Sequence, residues 1–274
     1  MAAWSPNPLR EAHVTEAIRS TDWNPGAYAR FHDLRLRPGL DLLNAVATMG
    51  GGDIYDLGCG NGAMGDALRA RAGGRNVVGV DASPAMLQKA RQGHAYSNLQ
   101  QVDIRDWHPS GAPGLIISNA ALHWVGEHEA LMPRLADMLG KGATLAVQMP
   151  HQNKAPSHRV WVTLADELFP GRVEKMGTPG VMAPVKYEEL LAPRGRFRMW
   201  ETEYYQRLVA EAGSHPVRRF TESTYARPIL QALEPDEKAD LIRRYEEVMS
   251  AAYPVREDGS VLFPFRRMFF TLTV

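Results

Sequence analysis

The stretch "DIYDLGCGNGAMGDAL", residues 53–68, decides the fold. It places three glycines in five positions, Gly58, Gly60 and Gly62, where an apolar strand gives way to a helix. Such glycines mark backbone at positive φ, or backbone that another group must approach closely. Working outward, the chain alternates. Residues 53–57 read as a strand and residues from about 62 to 72 as a helix. A second strand, "NVVGVD" (76–81), leads into "PAMLQKARQG", with Ser83 suited to the N-cap and Pro84 to the first helical position. "LQQVD" (99–103) and "GLIISNA" (114–120) are the third and fourth strands. The apolar run of the fourth suits burial on both faces. "EHEALMPRLADMLG" (127–140) is a helix and "GATLAVQMP" (142–150) a fifth strand. This rhythm predicts a parallel sheet with helices on both sides and right-handed crossovers, a Rossmann-like, doubly wound α/β fold.

The flanks differ in character. "TDWNPGAYARFHDLRLRPGLDLLNAVATMG" (21–50) reads as two short helices, with Pro25 in the first turn of one and Pro38 beginning the other. Past Pro150 the alternation is lost. "APSHRVWVTLADELF", "YEELLAP" and "DEKADLIRRYEEVMSAAY" look helical, while "FRMWETEYYQRL" and the closing "SVLFPFRRMFFTLTV" look like strands. The expected organisation is a core domain over 1–150 that includes the amino-terminal helices. A helical lid over 151–257, with a late strand near 196–208, follows as an insertion between late strands. Residues 258–274 return as the final strand of the sheet.

Composition narrows the partners. Lys plus Arg and Asp plus Glu both number 31, and no basic run reaches the length of a nucleic-acid patch. The first residues lack the pattern of a secretion signal, and no apolar run approaches the ~18 residues of a membrane span. Neither nucleic acid nor membrane is expected as a partner. The single cysteine, Cys59, can make no internal disulfide and fits a reducing cytoplasm. It also leaves no Cys-rich zinc site, and no metal is expected. The oligomeric state stays open.

Glycines at a first strand–helix crossover suit two ligands, a dinucleotide or S-adenosylmethionine. The spacing of Gly58, Gly60 and Ala63 allows either. The neighbouring acids decide. Asp56 precedes Gly58 by two residues, where it would repel a pyrophosphate and attract a ligand with an ammonium and a sulfonium. Asp81 ends the second strand, placed for two ribose hydroxyls. Asp103 ends the third strand, where it could accept from an adenine amino group, and Asn119 ends the fourth.

With these residues the sequence resembles the class I S-adenosylmethionine-dependent methyltransferases. "DLGCGNG", "VGVDASPAMLQKA", "QVDIRDW" and "LIISNAALHWV" match their four successive motifs. The resemblance implies S-adenosyl-L-methionine as cofactor. It implies contacts to it from Asp56, Gly58, Gly60, Asp81, Ala82, Met86, Asp103, Ile104 and Asn119.

The acceptor follows from chemistry. Methyl transfer from a sulfonium is an in-line displacement, and a carboxylate nucleophile is already ionised at neutral pH. It needs donors, not a base. His123 and Trp124 follow the fourth strand and should face the methyl group, and imidazole and indole N–H groups can both donate. A phenol acceptor would instead need a base, which His123 could be. The polar, Pro-rich loop expected of a nitrogen methyltransferase is missing from "SNAALHWV".

Over nearly its whole length the chain is similar to the trans-aconitate methyltransferases. "DWNPGAYARFHDLRLRPGLDLL", "LAVQMPHQNKAPSH", "YEELLAP", "WETEYY", "ARPILQAL" and "AAYPVREDGSVLFPFRRMFF" carry the likeness. It implies monomethyl esterification of a small polycarboxylate. It also implies roles for Trp23 and Tyr28 in the segment closing over the cofactor, and for Arg35 and Trp124 facing substrate or cofactor carboxylate. Arg219 and Arg227 are the candidates for binding the acid. The sequence departs from the family pattern at His123, where glutamine is usual, and at Arg219 and Glu222, which replace an acid and a lysine. The ordinary reading of Arg219, Arg266 and Arg267 is a solvated or ion-paired surface, and of Glu127, His128 and Glu129 a solvated helix start. Another small carboxylic acid, a non-catalytic cofactor-binding protein and a nicotinamide-dependent oxidoreductase are the competing functions.

Overall fold

The computed structural model describes residues 32–171, 180–210 and 213–274, with side chains from Leu36 onward. Nine helices are described: α1 (His32–Ala45), α2 (Gly65–Arg71), α3 (Pro84–Gln92), α4 (His128–Asp137), α5 (Pro156–Leu168), α6 (Pro184–Leu191), α7 (Pro216–Glu222), α8 (Arg227–Gln231) and α9 (Pro235–Ala252). The strands are β1 (Ile54–Leu57), β2 (Val77–Asp81), β3 (Asn98–Gln101), β4 (Leu115–Asn119), β5 (Thr144–Pro150), β6 (Arg196–Val209) and β7 (Ser260–Thr273). The described residues fall into two compact units. One holds 32–152, 180–206 and 264–274, and the other 153–171, 207–210 and 213–263.

The first unit is built on a sheet of strand order β3-β2-β1-β4-β5-β7-β6. Strands β1 to β5 pair in parallel, and β7 runs antiparallel to β5. The order steps outward from β1 to β3 and then reverses to β4, so β1 and β4 flank the switch point where α/β sheets bind ligands. Apolar residues point both ways from each central strand. Tyr55, Leu57, Val80, Ile116, Val147 and Phe270 pack on one face with residues of α4 and α6. Ile54, Val77, Leu115, Ile117, Ala146 and Phe269 pack on the other with α1 and α2. Each fully buried large side chain contributes about 1.5–3 kcal/mol, so neither face can be left to water. This double burial is the physical reason for the α/β/α layering.

Several boundaries differ from the sequence expectation. Helix α1 does not begin at Pro38 but carries it inside. Its Leu42 and Leu43, with Val46 just past its end, gain enough burial to offset the backbone bond that proline removes. Helix α2 starts at Gly65, later than 62, because Gly58, Gly60 and Gly62 all sit at positive φ and hold the chain in a loop. Strand β3 ends at Gln101, two residues before Asp103.

The second unit has an aromatic core of its own. The Trp161 ring stacks on Tyr245 at 3.8 Å, and its Nε1–H donates to Thr221 Oγ1 at 2.9 Å. Tyr245 donates to the Ser157 carbonyl at 2.8 Å, and Phe263 meets Phe220 and Tyr253 edge-on. Two histidines are held neutral here. Burial pushes the His158 imidazole down to about 3, and it also lowers His215, whose Nδ1 accepts from the Val217 N–H at the start of α7.

His158 generates a stability prediction. Its folded pKa lies below the unfolded value near 6.5, so its neutral burial is favourable at pH 7 and is opposed as pH falls below 6.5. Replacing His158 with Gln removes that term. The stability gap between the native protein and the variant should therefore shrink by about 2 kcal/mol between pH 7 and pH 5. Urea midpoints for the two proteins at the two pH values measure it, and an unchanged gap would contradict the neutral assignment.

Candidate active site

The loop after β1 is fixed by backbone hydrogen bonds to β2. Gly58 and Cys59 both donate to the Val80 carbonyl, at 2.8 and 3.0 Å. Two donors on one oxygen force a tight reversal, and Gly58 accommodates it at φ +75°. A Cβ there would lie 2.1 Å from the Ala121 Cβ, so the position also lets the β4 loop approach. Gly60 is different: at φ +56°, a Cβ would meet nothing within 4 Å. The loop leaves open space at that point.

The Asp81 carboxylate, at the end of β2, is held on both oxygens. Oδ2 accepts from the Gly60 N–H and Oδ1 from the Ser83 N–H, each at 2.9 Å. Ser83 in turn caps α3 by accepting from Met86 N–H at 3.2 Å, as its sequence position predicts. Met86 and Ile104 are buried, while Ala82 is exposed. Asp103 lies in the turn beyond β3 and is gripped by Arg105, whose Nε and Nη2 reach its two oxygens at 3.0 and 2.6 Å. That turn is tied down by Arg134 of α4, which donates to the carbonyls of Trp107 and Ile104.

Asp56, the penultimate residue of β1, is 2 % exposed. It accepts from the Tyr96 hydroxyl at 2.6 Å. Burial, more than anything else, pushes its carboxyl up to about 7; the Tyr96 bond opposes the rise and the Asp81 charge adds to it. Asn119 ends β4 in register with Gln148 of β5. The chain then turns through Ala120 at φ +54°, an uncommon conformation for a residue with a Cβ, and enters a single 3-10 turn, Leu122–Trp124.

This turn carries His123 and Trp124, whose rings lie 5.2 Å apart. Its support comes from residues the sequence reading put in solvent or did not weigh. His128 is buried, not a solvated helix start, whereas Glu127 and Glu129 are exposed. Its Nε2 lies 2.8 Å from the Leu122 carbonyl and its Nδ1 2.6 Å from the Tyr187 hydroxyl. Tyr187 also accepts from Met182 N–H at 3.1 Å. The directions are then fixed: Met182 N–H donates to Tyr187, Tyr187 to Nδ1, and Nε2–H to Leu122. Burial lowers the His128 pKa, in keeping with this neutral tautomer. Gly180 N–H adds a bond to the His123 carbonyl at 3.0 Å. No short-range pattern could reveal a relay spanning residues 122 to 187.

Arg267 is a second correction. It is 2 % exposed, not a solvated surface, because β7 carries it into the sheet opposite Pro150. Its Nη1 donates to Gln148 Oε1 at 3.3 Å and its guanidinium stands 4.8 Å over the Phe265 ring. Arg266 is exposed. Arg219 and Arg227 belong to the second unit, in α7 and at the start of α8. Glu222 is ion-paired to Arg218 at 2.7 Å and stands 3.8 Å from Arg219. Trp23 and Tyr28 lie outside the described residues, as does the side chain of Arg35 in α1. Among the described residues, no group of three or more His, Cys, Asp or Glu is placed to hold a metal ion, and no helix is long and apolar enough to cross a membrane.

One unit thus gathers Asp56, Gly58, Gly60, Asp81, Asp103, Asn119, His123 and Trp124 at the carboxyl ends of β1, β2 and β4 and the turns after β3 and β4. The features fit a nucleoside bearing an ammonium group: open space at Gly60, a fixed carboxylate at Asp81 and a buried acid at Asp56. Comparison with known proteins agrees. A family model described as a methyltransferase domain matches residues 54–142. A trans-aconitate 2-methyltransferase of Paracidovorax citrulli is 38 % identical over 256 residues, covering 90 % of this chain and 96 % of its own. Another, from Methylobacterium radiotolerans, is 36 % identical with the same coverage. Among solved structures, the YcgJ protein of Bacillus subtilis shares the fold at a TM-score of 0.55 and 13 % identity, over 86 % of this chain and 96 % of that one. A putative methyltransferase from Bacillus halodurans does so at 0.54 and 14 %, over 86 % and 97 %. The chain belongs to the trans-aconitate 2-methyltransferase family, within the class I S-adenosylmethionine-dependent methyltransferases.

Proposed function

We propose that the protein transfers a methyl group to one carboxylate of a small polycarboxylic acid, trans-aconitate foremost, and releases the monomethyl ester. The observation that carries this is the likeness to named trans-aconitate 2-methyltransferases over 90 % of the chain, at 36 and 38 % identity in the two relatives described above. When bound, S-adenosylmethionine supplies an electrophilic methyl that a carboxylate oxygen can displace in line.

The chain's own residues then bind, orient and exclude water. Asp81, prepositioned by two backbone donors, accepts from the ribose hydroxyls. Asp56 receives the ammonium group. Asp103 would accept from the adenine amino group, and Met86, Ile104 and Ala82 would hold the adenine. The backbone at Gly58 and Gly60 would let the nucleoside approach, and Asn119 would add a contact from the end of β4. His123 and Trp124 donate to the acceptor carboxylate, which being ionised requires no general base. The likeness to the family implies Trp23, Tyr28 and Arg35 as further cofactor contacts. Arg219 and Arg227 are the cations for the remaining carboxylates, since an unpaired buried charge is very costly. Glu222 bonds Arg218, which it shares with Glu246, and stands 3.8 Å from Arg219, so an acid bound at Arg219 competes with that glutamate. We assign the reaction to the cytoplasm, where the buried Cys59 stays a thiol.

Incubating the protein with trans-aconitate and methyl-labelled cofactor should yield a base-labile product one methyl heavier, seen by mass spectrometry. If no acid in a panel of di- and tricarboxylates is esterified while S-adenosylhomocysteine still binds, the protein is a cofactor-binding protein and the catalytic reading fails. Trp124→Phe should lower turnover more than cofactor affinity. Tyr187→Phe leaves the buried His128 Nδ1 and Met182 N–H without their shared partner, at a cost of about 1–3 kcal/mol. Denaturant unfolding should register that loss, and turnover should fall because the His123–Trp124 turn loses its support.

A further inference from the structure

Gly65 and Gly79 lie outside the expected ligand contacts, yet a Cβ at either would be sterically crowded. A Cβ at Gly65 would come 2.9 Å from the Tyr96 ring, and one at Gly79 would come 3.1 Å from it. Gly62 makes a third, at 3.3 Å. One aromatic ring therefore packs close to three glycines, from the loop, from α2 and from β2, although a Cβ would meet Ala90, Ala95 or Leu99 first. Tyr96 itself comes from the turn before β3, which is pinned to β2 by Ser97 N–H on the Val77 carbonyl and by Val77 N–H on Ser97 Oγ. The only hydrogen bond of the Tyr96 hydroxyl among the described residues runs to Asp56, 40 residues earlier in the chain, at 2.6 Å.

We propose that Tyr96 is a positioning residue for cofactor binding, a ring seated on glycines whose hydroxyl orients the Asp56 carboxylate and stabilises its negative form towards the cofactor's ammonium group. The proposal rests on the reading of Asp56 as the ammonium contact. Asp56 needs such help. It is buried and faces a second carboxylate, Asp81, so both influences favour its neutral form, which attracts an ammonium group poorly. Tyr96 is the one group that acts the other way. The remaining titratable groups around the pair supply no positive charge: Cys59, whose thiol burial pushes well up, and Asp66 of α2, which acts on Tyr96. Burial and the Asp56 charge hold the phenol's proton firmly in place, so Tyr96 remains a donor throughout the neutral range.

The sign of the pH effect follows. In the free protein Asp56 takes up a proton as pH falls through about 7, and affinity for an ammonium ligand declines with it. Losing the Tyr96 hydroxyl moves that uptake to higher pH. Calorimetric titration with S-adenosylhomocysteine, which keeps the ammonium and has no methyl to transfer, reads this without turnover. Tyr96→Phe should bind about tenfold more weakly at pH 6.5, as expected for a pKa rise of about one unit. The gap should close to within about twofold at pH 8.5; the ligand's own titration cancels in the ratio. A gap of the same size at every pH means a packing role alone and overturns the proposal, as does no gap at all. Asp56→Asn should bind weakly and without this pH dependence; if it binds like the native protein, the reading of Asp56 itself is wrong. Replacing Tyr96 with 3-fluorotyrosine, a stronger donor of nearly the same size, covers the case in which the Phe variant does not fold. It should move the loss of affinity to lower pH, and an unmoved profile counts against the proposal.

Discussion

The site hangs on one carbonyl oxygen. Val80 O, one residue from the end of β2, accepts from two successive N–H groups of the loop after β1. A single acceptor can satisfy both only if the chain reverses sharply, which requires positive φ at Gly58. The reversal brings the Gly60 N–H onto Asp81 and leaves the space at Gly60 unfilled. From the same constraint come the oriented carboxylate at the end of β2 and the delayed start of α2. The neighbouring strand contributes by the same logic. Ser118 Oγ donates to the Leu57 carbonyl at 2.8 Å, locking β4 beside the loop just before the chain turns towards His123.

The sheet, and the glycines and acids gathered around its strand ends, were legible because their signals are local. Apolar runs bounded by glycine, a Ser-Pro helix start and acids at strand ends are each read within a few residues. What escaped reading depends on distant partners. His128 looks like an ordinary polar residue at a helix start, and only its bonds to Leu122 and Tyr187 show that it is buried. Arg267 sits in "PFRRMFF", where alternation alone does not say which arginine faces inward; β7 pairing with β5 decides it. Pro38 reads as a helix start, yet the apolar residues on either side carry the helix through it. Gly65 and Gly79 were passed over because most of the side chains that crowd them, Ala95, Tyr96 and Leu99, come from the stretch around the start of β3.

The substrate half differs in kind. Recognition of a polycarboxylate asks for cations, and cations on a surface are common and weakly informative. Arg218, Glu222 and Glu246 show how quickly such groups satisfy one another: one guanidinium holds both acids, at 2.7 and 2.8 Å. Likeness to relatives over most of the chain narrows the acid where residue chemistry alone leaves a class. The chemistry contributes what the likeness lacks: an ionised carboxylate asks for donors and no base.

Cys59 adds a practical consequence. It is the single thiol of the chain, 7 % exposed, and its N–H is one of the two that close the loop onto β2. A thiol-specific reagent can reach it only when that loop lifts. The speed of its labelling is thus a built-in gauge of loop opening in the unmodified protein, and a ligand that presses the loop shut should slow the reagent without touching the sulfur.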